Sequence, residues 1–383
     1  MGGPHTSQLR RINLSVFFAS LGLASVYLIP AFAEDLGASY LDLGFIGTVR
    51  SLPYMVLPVI VGYLGDRFER RRPFLASVFI AGAATLMLAS THTIEGIILV
   101  QVLLGVGFSL FWPLSEALVS ENAPLRRQTT VLGMYGVSWA SGFLVGPLLG
   151  GFIANVAGFQ VSFLLSGIVV LATAGASVAL IRGQGKSTSY KTKAPRRPEW
   201  SLVSKVLPAL VAQVPYGVVF AFIVSIFPGY ATQSGLTPFQ VGVLMSGLSF
   251  ARIVMFSLSG RFDEVGERKS TALAFIGLAV VLLLIPFNRS FLALLADICA
   301  VGALIGIIYP QTVGYVCRHS PPENLGFAVG LYETIFGVGF AIGPVISGLI
   351  AQVTGPDAAC FALAVVALST APILVFPKVN RAR

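Results

Sequence analysis

Residues 142–151 read GFLVGPLLGG, and residues 339–348 read GFAIGPVISG. The two stretches lie 197 residues apart, and the same spacing relates Pro113 to Pro310. Nearer the N-terminus the spacing is 198 residues. Self-similarity of this length, with almost no gaps, indicates two copies of one structural unit arranged side by side.

The composition is that of a membrane protein. The chain is 55% hydrophobic and only 11% charged, whereas about a quarter of the residues in a soluble domain are charged. Spanning a bilayer takes about 20 apolar residues in a helix. The segments that come close to or exceed this length are 12–33, 43–64, 74–91, 96–119, 127–155, 159–181, 202–231, 239–261, 270–287, 291–317, 324–353 and 358–376.

These segments predict an all-α membrane protein with twelve transmembrane helices, six in each of two pseudo-symmetric bundles. The predicted domains are an N-terminal bundle over 1–183 and a C-terminal bundle over 201–383. Residues 184–200, which are rich in Gly, Ser, Lys, Arg and Pro, are predicted to form a flexible cytoplasmic linker. An even number of spans per half gives both bundles the same orientation.

The net charge of +9 does not indicate a nucleic-acid partner, because the basic residues occur in short clusters at every second connection between apolar segments. This positive-inside pattern predicts a multi-pass protein of the cell membrane with both termini in the cytoplasm. The three cysteines are widely spaced and predict neither disulfides nor a metal site. No phosphate-binding loop for ATP is present, and no cofactor is expected.

Residues 62–71 read GYLGDRFERR, which resembles the loop motif G-x-L-x-D-R-x-G-R-R of the major facilitator superfamily. The resemblance covers nearly the whole chain, although Glu69 replaces the usual glycine. A degenerate second copy lies at 260–269. The resemblance implies a latch that holds the cytoplasmic side closed, because an acid at a helix C-terminus needs a positive partner. Its predicted members are Gly62, Asp66, Arg67, Arg70, Glu121 and Asp263.

The fifth segment matches the family motif G-x-x-x-G-P-x-x-G-G in full, and the eleventh carries a partial copy. Small residues permit close helix packing, and proline bends the helix. Within the family this motif is typical of proton-linked exporters. Such exporters often carry an arginine in the fourth helix, but the corresponding residues 101–105 read QVLLG and hold no cation. The motif residues are Gly142, Gly146, Pro147, Gly150, Gly151, Gly339, Gly343 and Pro344.

Ionised residues inside apolar segments are functional candidates, because each costs about 2.5–3.5 kcal/mol near the bilayer centre. Glu333 is the first choice for binding solute or a coupling ion, since its repeat counterpart is a glycine. The alternative is a static ion pair with an arginine. A static role is favoured for Glu116, and a functional role for Asp297, which lies on a cavity-lining helix in the family. The complete set is Arg50, Glu116, Arg252, Asp297 and Glu333.

Aromatic residues supply the rest of the predicted solute cavity. Rings with a few polar groups suit an amphipathic or cationic organic solute. The candidates are Trp112, Tyr135, Trp139, Tyr309 and Tyr332.

The sequence therefore predicts a monomeric secondary transporter, not an enzyme, that works by rocker-switch alternating access within the lipid bilayer. The leading hypothesis is export of a small organic solute, with protons or another ion as coupling partner. One alternative is uptake of a sugar, organic anion or other nutrient, with Arg50 and Arg252 holding the anion. An alternative of another class is a membrane sensor or lipid-handling protein.

Overall fold

The computed structural model describes residues 4–64, 70–122, 128–181, 201–258, 261–262, 265–288, 290–321 and 325–375. Throughout these ranges the secondary structure is helical, without a strand. The predicted linker lies outside them, so the proposed domain boundaries stay a prediction.

Six spans form the first half. α1 runs through a helix, a 3-10 turn and a second helix, and α2 has the same three-part construction. The bounds are α1 Pro4–Leu23, Ala24–Leu28 and Ile29–Asp35; α2 Tyr40–Ser51, Leu52–Met55 and Leu57–Leu64; α3 Arg71–Leu88; α4 Ile94–Asn122; α5 Gln128–Ala157; and α6 Phe159–Leu180.

Six further spans form the second half. Their bounds are α7 Ser201–Ser225 and Phe227–Gln233; α8 Pro238–Ser257; α9 Glu267–Leu284; α10 Phe291–His319; α11 Leu325–Thr354; and α12 Pro356–Val375. In the described part of the chain, 11 spans are continuous and apolar enough to cross a membrane.

The remaining span, α2, differs from the single helix predicted over 43–64. Pro53 lies in its central 3-10 turn, at Leu52–Met55, and Pro58 follows at the start of the next segment. Proline lacks the backbone donor that continues an α-helix, so the helix is interrupted there. The three segments together still run from residue 40 to residue 64, and the twelve-helix prediction is confirmed.

The repeat is visible in the helix starts. Ser39 caps α2 by a reciprocal pair of hydrogen bonds with Asp42. Thr237, its partner in the second half, caps α8 in the same way with Gln240. The hydroxyl and the side chain three residues later satisfy donors that the first turn of a helix leaves free.

The repeat also governs helix packing. Gly142 lies against Ser20 of α1, where a Cβ atom would come within 2.7 Å of the serine Cβ. Gly339, its counterpart in α11, lies against the Val214 carbonyl of α7. Gly146, Gly151 and Gly343 also approach backbone carbonyls of a neighbouring helix, at 2.3–2.8 Å from an added Cβ, whereas Gly150 meets only the side chains of Leu28 and Ser162, at 3.0 and 3.3 Å. Pro147 and Pro344 lie inside α5 and α11, respectively.

Two helix pairs that join the halves pack closely at glycines. Gly151 of α5 approaches the Pro238 carbonyl of α8, at 2.6 Å from an added Cβ. Gly348 of α11 approaches the Tyr40 carbonyl of α2, at 2.5 Å. These two contacts are related by the repeat, so each half supplies one helix to each side of the interface.

The two ends of the bundle differ in charge. One end, here called the basic end, carries Arg11, Arg71, Arg268 and Arg318. There Arg71 donates hydrogen bonds of 2.6 Å to the carbonyls of Val178 and Ile181, and so caps the C-terminus of α6. At the opposite end α1 and α7 meet, and the contacts of Gly151 with α8 and of Gly348 with α2 lie in this half of the interface.

Candidate functional site

A hydrogen bond joins the halves midway along the interface. The Tyr54 hydroxyl, in the 3-10 turn of α2, donates to Oε2 of Glu333 on α11 at 2.9 Å. Both side chains are half-buried. Within the described part of the chain, Glu333 forms no ion pair with Arg50 or Arg252. Its partner is a phenol of the other half.

A second carboxyl shares this region. The charge of Glu116, on α4, acts on Glu333. The phenols of Tyr135 and Tyr309 lie within the field of both acids. A static role was expected for Glu116, and the fold brings this carboxyl group to the same interior region as Glu333. We call Tyr54, Glu116 and Glu333 the acidic cluster.

Two predicted tyrosines are fixed by equivalent hydrogen bonds in the two halves. Tyr135 bonds to Ser115 and Tyr332 to Thr312, both at 2.8 Å between the oxygens. Tyr135 is 7% exposed and Tyr332 is fully buried. Tyr332 is therefore part of the protein core rather than a surface for solute.

Arg252, on α8, is surrounded by rings from both halves. Its guanidinium carbon lies 5.2 Å from the ring centres of Trp139 and Phe220 and 5.7 Å from that of Phe256. Tyr27, which is buried, lies close to the same guanidinium. Each cation–π contact of a desolvated cation contributes about 2 kcal/mol, which offsets part of the cost of burial.

Arg50, on α2, is buried nearby. Its NH2 group donates to Oγ of Ser225 at 3.0 Å, and its guanidinium lies 5.9 Å from the ring centre of Phe340. The charges of Arg50 and Arg252 both act on Tyr27. Among the residues that the structure describes, neither arginine has a carboxylate within ion-pair distance. We call Arg50, Arg252 and Tyr27 the basic cluster.

The predicted aromatics lie in one connected row across the interface. The ring centres of Trp112 and Trp139 are 5.5 Å apart, those of Trp139 and Phe256 6.0 Å, and those of Phe256 and Tyr309 5.9 Å. The row therefore passes from α4 and α5 in the first half to α8 and α10 in the second.

Sequence analysis missed several of these contacts, made by Tyr27, Tyr54, Phe220 and Phe256. One signal was available, because Tyr54 and Arg252 are repeat partners with the spacing of 198. In the first half this position carries the phenol of Tyr54, which bonds to Glu333. In the second half it carries the guanidinium of Arg252, which contacts the aromatic rings.

Asp297 lies apart from both clusters. It is near the start of α10, and its Oδ2 accepts a hydrogen bond of 2.7 Å from Asn288, which follows α9. The bond ties the short α9–α10 connection at the end opposite the basic end. The geometry therefore favours a structural role over the functional role expected from the sequence.

We expect Asp297→Asn to leave transport unchanged, because the amide oxygen still accepts from Asn288. Asp297→Leu removes the acceptor and should lower the free energy of unfolding by about 1–3 kcal/mol. Thermal unfolding and flux of the two purified variants provide the measurement. A loss of flux in Asp297→Asn at unchanged stability would instead place Asp297 in the transport cycle.

The predicted cytoplasmic gate is only partly described. Asp66, Arg67 and Asp263 lie outside the described residues, as does the side chain of Glu121. Gly62 lies in the last segment of α2, and Arg70 directly precedes α3. The latch remains a prediction.

Twelve membrane helices in two related bundles, with charged groups at their shared interface, define a multi-pass membrane transporter. The chain belongs to the Major Facilitator Superfamily, whose family model matches residues 12–213 and 209–383. The resemblance inferred from the loop and fifth-helix motifs is thereby confirmed.

Relatives of known sequence match along nearly their whole length. An uncharacterised MFS-type transporter of Methanocaldococcus jannaschii, MJ1560, is 23% identical over 354 residues, 90% of this chain and 91% of that protein. The quinolone resistance protein NorA of Staphylococcus aureus is 24% identical over 379 residues, 97% of this chain and 96% of that protein.

Two solved structures share the fold. The nucleoside transporter NupG matches with a TM-score of 0.76 at 10% identity, over 96% of this chain and 99% of that one. The peptide transporter POT matches with a TM-score of 0.78 at 15% identity, over 98% of this chain and 95% of that one. At these identities the likeness extends to the fold alone.

Proposed function

We propose that this protein exports a small amphipathic organic solute across the cytoplasmic membrane in exchange for protons, with Glu333 carrying the coupling proton. In this proposal the basic end faces the cytoplasm, where the positive-inside rule places it. Solute binds between the halves, which rock about the shared interface.

The observation that carries the proposal is the hydrogen bond between Tyr54 and Glu333. It joins a titratable group of one half to a phenol of the other, so any rocking of the halves must break or rearrange it. A carboxyl group that is partly accessible in the interface and not neutralised by an arginine is free to exchange a proton or to bind a cationic group. Glu116 adds a second carboxyl group to the same region of the interface.

Export is supported by the complete fifth-helix motif and by the likeness to NorA, a quinolone resistance protein. The aromatic row from Trp112 to Tyr309 supports a solute with a flat apolar body, because rings stack on one another at such spacings.

A second candidate, uptake of an organic anion, is supported by a different observation. Arg50 and Arg252 are buried without a carboxylate partner in the described structure, and an anionic solute would supply one. The two candidates differ in the direction of net movement under a proton gradient.

Flux into sealed proteoliposomes, without ATP, tests the proposal. The solute panel contains aromatic amines, quinolones, nucleosides, sugars and aromatic carboxylates. We expect a proton gradient to drive an aromatic solute in the direction opposite to proton movement. Movement with the protons would favour uptake. Binding without flux of any solute would favour the sensor alternative.

A further inference from the structure

The two arginines of the basic cluster are buried without a carboxylate partner within the ranges that the structure describes. Arg252 is 7% exposed and Arg50 is 6% exposed, yet neither has a carboxylate partner in the described part of the chain. The Nε–H group of Arg252 is buried without a hydrogen-bond acceptor. The surrounding rings offset only part of the cost of burying a cation, and an anionic partner from outside the protein would offset more of it.

The rings around Arg252 suit the body of a solute. Trp139 of the first half and Phe220 and Phe256 of the second leave the guanidinium between flat apolar faces. A planar guanidinium forms two parallel hydrogen bonds to a carboxylate, a geometry that an ammonium group does not provide. The flanking rings would stack on an aromatic group attached to that carboxylate.

Aromatic rings connect the acidic cluster to the basic cluster. Tyr216 lies within the field of both Arg252 and Glu333. The ring centres of Phe220 and Phe336 are 6.3 Å apart, and those of Phe336 and Tyr54 are 6.0 Å apart. The interface therefore presents cations and carboxylates at two ends of one aromatic surface.

We propose that Arg252, assisted by Arg50, binds a carboxylate of the transported solute, while the acidic cluster faces a basic group of the same molecule. The inference rests on the proposed function and narrows its substrate class to an amphoteric aromatic compound with an acidic and a basic group.

Matched acid and amide pairs test this recognition. The probes are 4-(aminomethyl)benzoate and 6-(aminomethyl)naphthalene-2-carboxylate, each compared with its carboxamide. Two substitutions, Trp112→Phe and Trp200→Phe, leave Trp139 as the sole tryptophan. Its fluorescence then reports on the ring that contacts Arg252, and thermal shift of the unmodified protein provides an independent measure of binding.

We expect at least one acid to bind about tenfold or more tightly than its amide, since hydrogen bonds to charged groups contribute about 1.5–3 kcal/mol. Arg252→Gln should abolish this preference, and Arg252→Lys should reduce it, because the charge remains without the two-pronged geometry. The matched control is Arg261→Gln, an exposed arginine just beyond the end of α8, which should keep the preference. The lysine variant provides the test if Arg252→Gln does not fold.

Equal binding of acid and amide, no binding of any probe, or a preference that persists in both Arg252 variants would overturn the inference. Failure of the proposed function gives a different result. Suppose that the preference for the acid depends on Arg252 but that flux does not respond to the pH gradient. The recognition site would then be supported, and the proposed exchange for protons would be contradicted.

Discussion

Glu333→Gln is expected to abolish solute flux driven by a pH gradient while exchange of labelled for unlabelled solute continues. Glutamine keeps the size of the side chain and still accepts the Tyr54 hydrogen bond through its amide oxygen. It neither gains nor loses a proton. If Glu333 carries the coupling proton, the variant loses the link to the gradient but retains the movement of the two halves.

Paired assays in proteoliposomes separate these effects. Driven flux should fall to the level of protein-free liposomes, and equilibrium exchange should remain measurable. The control is Glu95→Gln, an exposed carboxylate at the start of α4, which should keep both activities. Driven flux of normal size in Glu333→Gln would remove Glu333 from the coupling role. Loss of exchange as well would indicate that solute binding also requires the Glu333 carboxylate.

Gly151→Val is expected to separate α5 from α8 at the end opposite the basic end. An added Cβ would lie 2.6 Å from the Pro238 carbonyl oxygen and 3.0 Å from the Cα of Gly242, both backbone atoms that cannot turn away. Overpacking of this kind costs about 1–3 kcal/mol. A penalty of that size, confined to one of two states, shifts their equilibrium about 5- to 150-fold. Flux of the variant should fall by about tenfold or more, because the variant would rarely reach the state that is closed at this end.

The matched control is Gly133→Val on the same helix, where an added Cβ meets nothing within 4 Å. Spin labels at Ala157→Cys and Gln233→Cys, both exposed at this end, measure the separation of the halves after replacement of the three native cysteines. We expect a longer distance in Gly151→Val and an unchanged distance in Gly133→Val. Equal distances in both variants, with normal flux, would show that this contact does not limit closure.

The architecture of this protein follows from its amino-acid sequence. The lengths of the apolar runs predict the membrane spans, and the repeat spacing of 197 and 198 residues relates the two bundles. Close packing was predicted at the repeated glycines of α5 and α11, and the structure places these glycines against α1 and α7. The buried charges were found as well, since an ionised residue inside an apolar segment stands out in composition alone.

Which of these charged groups come into contact depends on how the helices pack. Glu333 and the arginines lie on different helices, and their distances depend on helix rotation and on the break in α2 at Pro53, which hydropathy does not register. The sequence allowed an ion pair with Arg50 or Arg252, but the fold places Tyr54 against Glu333 at 2.9 Å and aromatic rings around Arg252. Helix packing likewise places Asp297 against Asn288 of the α9–α10 connection rather than at the interface between the halves. Local sequence fixes the depth of a residue along a helix, whereas partners across an interface are set by how two helices are rotated and packed.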